Sequence, residues 1–181
     1  MLDPSRHINN LALVGFMGTG KSAVGRLVAN LLQFDFVDTD EQIELSSGVR
    51  ISDIFAQQGE SHFRELESDA LKALESRRHC VISTGGGCIL RPANLASLRT
   101  HSLIVCLWAS PEGIYKRVRH QTHRPLLNCE DPVNKILSLL KERESAYRQA
   151  DLLVNSELRS LRDLAQHLAY NFRAARQEIP A

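Results

Sequence analysis

Leu11-Ala12-Leu13-Val14-Gly15-Phe16-Met17-Gly18-Thr19-Gly20-Lys21-Ser22 decides the fold, because it joins an apolar run to a glycine turn and then to a helical pattern ending near Leu32. A short apolar run stopped by glycine reads as a buried strand. The glycines at 15, 18 and 20 let the backbone curl so that several amide N–H groups point at one place. The first turn of the helix adds the positive end of its dipole. Such a cradle suits a phosphate chain, and Gly-x-x-Gly-x-Gly-Lys-Ser between a strand and a helix is a P-loop. It predicts a bound Mg-nucleoside triphosphate, with Lys21 reaching the β- and γ-phosphates and the Ser22 hydroxyl serving Mg²⁺. Gly18, Thr19, Gly20, Lys21, Ser22 and Ala23 form the expected nucleotide set. A chance glycine turn is the competing reading, and the strand and helix on either side argue against it.

Outward from this segment, apolar runs alternate with helical patterns, which predicts an α/β protein with a mostly parallel sheet. The further strand candidates are Phe34–Val37 running into Asp38, Cys80–Ser83, Leu103–Leu107 and Leu152–Val154. Helical spacing holds from about Asp40 to Arg77, with breaks near Gly48 and Gly59. Ser110-Pro111 and Asp131-Pro132 each read as an N-cap followed by proline at the first helical position. Behind the second of these, Val133, Ile136, Leu137, Leu140 and Tyr147 are expected on one buried face. Ser160 with Asp163 opens a last helix through Phe172, with fraying expected from about Arg173. The segment from Val118 to Asp131 lacks hydrophobic periodicity and reads as a loop.

The formal net charge of +1 gives no bulk case for nucleic acid or an anionic membrane as partner. No stretch approaches the roughly 18 consecutive apolar residues of a membrane span. The polar Met1–Asn10 stretch has no signal-peptide core, so a cytoplasmic location is expected. The four cysteines, Cys80, Cys88, Cys106 and Cys129, have no C-x-x-C spacing and no histidine cluster beside them. They read as reduced thiols.

Four further features carry chemistry. Asp38-Thr39-Asp40 follows the second strand, and in an extended segment residues i and i+2 face the same way. Both carboxylates are then expected in the crevice beyond the strand ends, one serving Mg²⁺ through water and the other an attacking hydroxyl. A solvated acidic turn or a helix N-cap is the alternative. Phe63-Arg64 with Glu67 reads either as a site or as a plain surface ion pair. Gly85-Gly86-Gly87 reads either as a close approach to a ligand or as a flexible turn. Arg117, Arg124 and Arg143 offer forks for phosphate or carboxylate, although any one of them alone is commonly a surface residue.

Taken in order, these residues resemble the shikimate kinase family from about Asn10 to about Leu168. The resemblance rests on the P-loop, Asp38-Thr39-Asp40, Ile54-Phe55, Gly59-Glu60, Phe63-Arg64 and the triple glycine. It continues through Arg124-Pro125-Leu126-Leu127 and Glu142-Arg143 ahead of Tyr147. It implies a three-layer P-loop NTPase fold of the nucleoside-monophosphate-kinase type, with a five-stranded parallel sheet flanked by helices. One kinase domain over 1–181 is expected, with a substrate-binding helical region at about 40–77 and a lid at about 119–131. The implied reaction is transfer of the ATP γ-phosphoryl to the 3-hydroxyl of shikimate, by a monomer. By resemblance Asp40 holds the shikimate hydroxyls, Arg64 and Arg143 bind its carboxylate, and Gly85, Gly86 and Gly87 contact it through backbone. Phe55 and Phe63 wall the pocket, Asp38 serves Mg²⁺ beside Ser22, Arg124 reaches the transferring phosphate and Arg117 stacks on adenine. The catalytic set is then Lys21, Asp40 and Arg124. Ser22 replaces a threonine, which the chemistry tolerates; His120 and His123 in the lid take no role. Another small-molecule P-loop kinase, such as a gluconate kinase, is the alternative. A GTP switch is excluded on two counts: Asn134-Lys135 leads into Ile136-Leu137, and no Asp stands three before any glycine.

Overall fold

The computed structural model describes residues 6–120 and 130–176. Its centre is the apolar run with which the sequence argument began. β1 (Asn10–Val14) is buried along its whole length, as a parallel strand covered on both faces must be. Alternate residues point to opposite faces, so Leu11 and Leu13 join one core while Ala12 and Val14 join the other. The first core takes Val24 and Val28 from α1 (Lys21–Leu32) and Leu164, Leu168 and Phe172 from α7 (Leu161–Ala175). The second takes Leu71 from α3 (Ile51–Ala73), Leu98 from α4 (Pro92–His101), and Ile136 and Tyr147 from α6 (Pro132–Tyr147).

Five parallel strands form the sheet in the order β2-β3-β1-β4-β5. β2 is Asp35–Asp38, β3 Cys80–Ser83, β4 Ser102–Trp108 and β5 Leu152–Asn155. This is the expected five-stranded parallel sheet with flanking helices. The chain leaves β1 toward β2 on one side and later returns to place β4 on the other. The crevice at the carboxyl ends of β1 and its neighbours lies at that change of direction, where open α/β sheets bind ligands.

The break at Gly48 is real: α2 (Thr39–Ser47) ends there with φ 69°. Gly59, at φ 80° and ψ 173°, kinks α3, so helical residues run on both sides of a non-helical one. α2 and α3 pack over a small separate core of Ile43, Ile54 and Phe63. The expected caps form, with Ser110 accepting from Gly113 N, Asp131 from Asn134 N and Ser160 from Asp163 N. The first of these opens α5 (Pro111–Val118).

Three expectations need correcting. α4 had no counterpart in the sequence reading, because its helical signal rests on Leu95 and Leu98 alone; the crossover between β3 and β4 supplies the reason for a helix there. The buried face of α6 is Ile136, Leu139, Arg143 and Tyr147, with Leu137 turned outward, because a charged residue occupies the inner stripe. The last helix continues past Arg173 to Ala175, where the Arg173 guanidinium donates to the Leu31 carbonyl of α1 at 3.1 Å. Among the described residues the cysteines are free and buried, and Cys129 lies outside them.

Candidate active site

The turn after β1 is forced by its neighbour. Gly15 sits at φ 126°, and a Cβ there would run into the Leu107 carbonyl of β4. Gly20, at φ 94°, N-caps α1 with no side chain in the way, which leaves the first amides of the helix facing the crevice. Thr19 is buried and holds the loop by donating its hydroxyl to Phe16 O at 2.8 Å. Lys21 lies folded back within the loop, its Nζ donating to Gly15 O at 2.9 Å and Phe16 O at 3.0 Å. Ala23 lines the same crevice of about 200 Å³, as do Gly18, Gly20 and Ser22.

Asp38 and Asp40 reach this crevice by a different geometry from the extended one expected. β2 ends at Asp38, which becomes the N-cap of α2 and accepts from Asp40 N at 3.1 Å. The N-cap reading and the site reading therefore hold together, since the other carboxylate oxygen of Asp38 accepts from the Ser22 hydroxyl at 2.6 Å. Ser83, at the end of β3, stands 3.3 Å from that hydroxyl and was not singled out from the sequence. One carboxylate and one hydroxyl beside a phosphate cradle fit Mg²⁺, which keeps several waters and takes phosphate oxygens for the rest.

A second cavity of about 450 Å³ adjoins the first, and Met17, Asp40 and Gly86 line both. Its deep end gathers Arg64, Glu67, Arg143 and the three glycines. Arg64 is no plain surface residue. It donates Nη1 to Glu67 Oε2 at 2.5 Å and Nη2 to Glu60 Oε1 at 2.7 Å, and Glu67 is fully buried. Burial raises the Glu67 pKa, the Arg64 cation pulls it back down, and the Asp40 charge adds to the rise. Nothing in the residue spacing separates a buried i,i+3 pair from an exposed one, so the sequence showed Glu67 without showing its weight.

The glycines after β3 are needed for close approach. A Cβ on Gly87 would come 2.6 Å from both terminal nitrogens of Arg64, and one on Gly85 would strike Glu67 and pass 2.8 Å from Asp40 Oδ1. Gly85 N is fixed by donating to the Thr39 hydroxyl at 3.1 Å. Tyr147 donates its hydroxyl to Gly86 O at 2.6 Å, and burial pushes its pKa up to about 12, so it remains a donor. Arg143, one turn earlier on α6, is buried with its guanidinium 5.4 Å from the Phe16 ring centre and 3.5 Å from Gly86 O. Its Nε has no hydrogen-bond partner among the described residues. A buried, incompletely satisfied guanidinium facing a cavity suits an anion.

Phe55 and Phe63 pack on one wall of this cavity with ring centres 4.8 Å apart and planes tilted by 40°. Arg117, on α5, bridges the phosphate loop to the turn after β5 through Gly18 O at 3.3 Å and the hydroxyl and carbonyl of Ser156, each at 3.0 Å. Its nitrogens are thus committed at the edge of the guanidinium plane. Arg124 and His123 lie outside the described residues, as does most of the expected lid.

A family model described as shikimate kinase matches residues 17–172. The shikimate kinase of Thermodesulfovibrio yellowstonii is 45% identical over 150 residues, covering 83% of this chain and 87% of that protein. The solved structure of shikimate kinase from Acinetobacter baumannii in complex with shikimate superposes with a TM-score of 0.88 at 38% identity, covering 92% of this chain and 94% of that one. A gluconokinase from Sinorhizobium meliloti superposes with a TM-score of 0.61 at 19% identity over 96% of this chain and 97% of that one, a likeness of fold alone.

Proposed function

The chain belongs to the shikimate kinase family, and from that membership we propose how its residues divide the work of moving the ATP γ-phosphoryl onto the 3-hydroxyl of shikimate. The observation that carries the proposal is the position of Asp40, whose carboxylate borders both the phosphate crevice and the pocket beside it. An acceptor in the larger cavity then has its hydroxyl between Asp40 and the γ-phosphorus. Asp40 orients that hydroxyl and takes its proton as the O–P bond forms, while the bond from γ-phosphorus to the bridging oxygen breaks and ADP leaves.

Shikimate is a carboxylate with three hydroxyls. Arg64 and Arg143 hold the carboxylate, Gly85, Gly86 and Gly87 approach it with backbone, and Phe55 and Phe63 cover the ring. Lys21 leaves its loop carbonyls for the phosphate oxygens, since a charged phosphate is the stronger acceptor. Ser22, and Asp38 through water, would hold Mg²⁺, which would supply positive charge against that developing on the transferring phosphate. Arg117 offers the open face of its tied guanidinium to adenine. Arg124 keeps the role at the transferring phosphate that the family resemblance gives it. The same proposal treats the chain as one kinase domain with α2 and α3 as its acceptor-binding region, working as a cytoplasmic monomer. Light scattering on the purified protein checks the monomer.

ADP release measured with shikimate, gluconate and nucleoside monophosphates tests the acceptor, with turnover expected on shikimate alone. Asp40→Asn is expected to lower kcat by about 10²–10⁴-fold while ATP binding survives. Near-normal turnover in that variant would remove Asp40 from the mechanism.

A further inference from the structure

The deep end of the acceptor pocket is poor in free positive charge. Arg64 already faces two carboxylates, Glu60 and Glu67. Asp40 adds another negative group, Arg143 is a further cation, and Arg91 acts on Glu67 from just outside the pocket. With every group ionised, the three acids Glu60, Glu67 and Asp40 only balance the three arginines Arg64, Arg91 and Arg143. Arg64 and Arg143 supply directional hydrogen bonds once a carboxylate has arrived, but this set has no net attraction with which to draw an anion in.

Arg50 changes that balance. It lies at the outer end of the same pocket, with Glu44, Ile51 and Ser52. It occupies the N-cap position of α3, just after the Gly48 turn, yet its side chain makes no capping bond. Among the described residues its guanidinium has no hydrogen bond or ion pair, and the residue is exposed. Glu44 is the nearby acid, and its Oε1 accepts from Ile51 N at 2.9 Å. That bond commits the Glu44 carboxylate to the positive end of the α3 dipole, with no ion pair to Arg50 among the described residues. Nothing in the fold of α2 or α3 uses the Arg50 charge, and the pocket it borders must admit an anion.

We propose that Arg50 is a specificity-determining residue, a capture cation at the pocket mouth that draws the carboxylate of the acceptor inward before Arg64 and Arg143 bind it. The inference rests on the acceptor pocket proposed above. A charge at the rim of a site acts chiefly on the rate of encounter and on its salt dependence, because field lines are focused into a low-dielectric cleft. Its effect belongs in kcat/KM for the acceptor. Neither kcat nor the KM for ATP should follow it.

The test is a salt series of kcat/KM for shikimate on wild type, Arg50→Gln, Arg50→Lys and Arg64→Ala. At low ionic strength Arg50→Gln is expected to fall about three- to ten-fold below wild type, the usual scale of a rim charge. Arg50→Lys should stay near wild type because the charge remains. The gap between Arg50→Gln and wild type should close near about 0.5 M salt, where screening acts over a few ångströms. Equal kcat/KM for Arg50→Gln and wild type at low salt overturns the proposal. So does a loss that persists at high salt or is shared by Arg50→Lys, since either marks a structural effect. Arg64→Ala separates the two ideas. If it is deficient at every salt concentration while Arg50→Gln shows no defect, the pocket stands and the capture cation falls; if neither variant affects the acceptor, the pocket itself is misassigned.

Discussion

The phosphate crevice and the acceptor pocket adjoin across Met17, Asp40 and Gly86, and they hold their charged groups by different means. The phosphate loop hangs from a strand buried on both faces, and its lysine rests on carbonyls of its own loop. The acceptor pocket stands on a satellite core with three buried apolar residues, and its arginine is held by carboxylates one turn away on either side. The first is a backbone device, rigid because the whole sheet supports it. The second is a side-chain device on a small core, and low apolar burial marks the segments that open most readily. On the function proposed above, one chain thus separates a nucleotide site that needs little tuning from an acceptor site that sets specificity.

That separation can be broken by experiment. Lys21→Ala should lower kcat by about 10²–10³-fold or more, as expected when a preorganised charge is removed from the transferring phosphate. Shikimate binding, read by calorimetry, should stay near wild type. If acceptor affinity falls as far as turnover does, the two halves are one unit.

Arg64→Ala addresses the other half. The KM for shikimate should rise roughly 30-fold or more, the scale for truncating one member of a desolvated charge pair, with the KM for ATP unchanged. The variant should also be less stable by on the order of 3 kcal/mol at neutral pH, because Glu67 is left buried without its cation. Denaturant unfolding should show part of that loss recovered at lower pH, where Glu67 takes up a proton. An unchanged KM for shikimate would refute the pocket assignment.

The smallest effect sharpens the contrast from outside both sites. His101 is buried at the end of α4, its Nδ1 accepting from Asn10 Nδ2 at 2.9 Å. Burial depresses its pKa below the ordinary 6.5, with the Arg78 charge helping and Glu75 opposing. A depressed histidine adds stability above its unfolded pKa, and that stability is lost as pH falls through the folded value. As pH falls from 7 to 5 the wild type should lose more Tm than His101→Gln does. Matching pH slopes in the two proteins would remove His101 from the account.

Much of this was legible in the residues. The P-loop, the breaks at Gly48 and Gly59 and the proline-marked helix starts follow from local conformational preference, and the structure has each of them. The crossover helix α4 was not legible, since two leucines give little periodicity and the requirement for it comes from the two parallel strands it joins. The buried stripe of α6 was misread for a related reason. Arg143 is inside because the glycine turn after β3 comes to meet it, and that turn lies 57 residues away along the chain.

The sequence by itself determined the glycine turn between β1 and α1 and which residue types stand beside it, because such a turn is a local object. Tertiary structure alone decided that Asp40 borders both cavities, that Glu67 is buried against Arg64, and that Arg50 stands at the mouth without a hydrogen bond or ion pair among the described residues. Those are facts about burial and about charges brought together from distant parts of the chain. Residue spacing fixes which side chains are neighbours on one helix, and only packing fixes which of them lose their water.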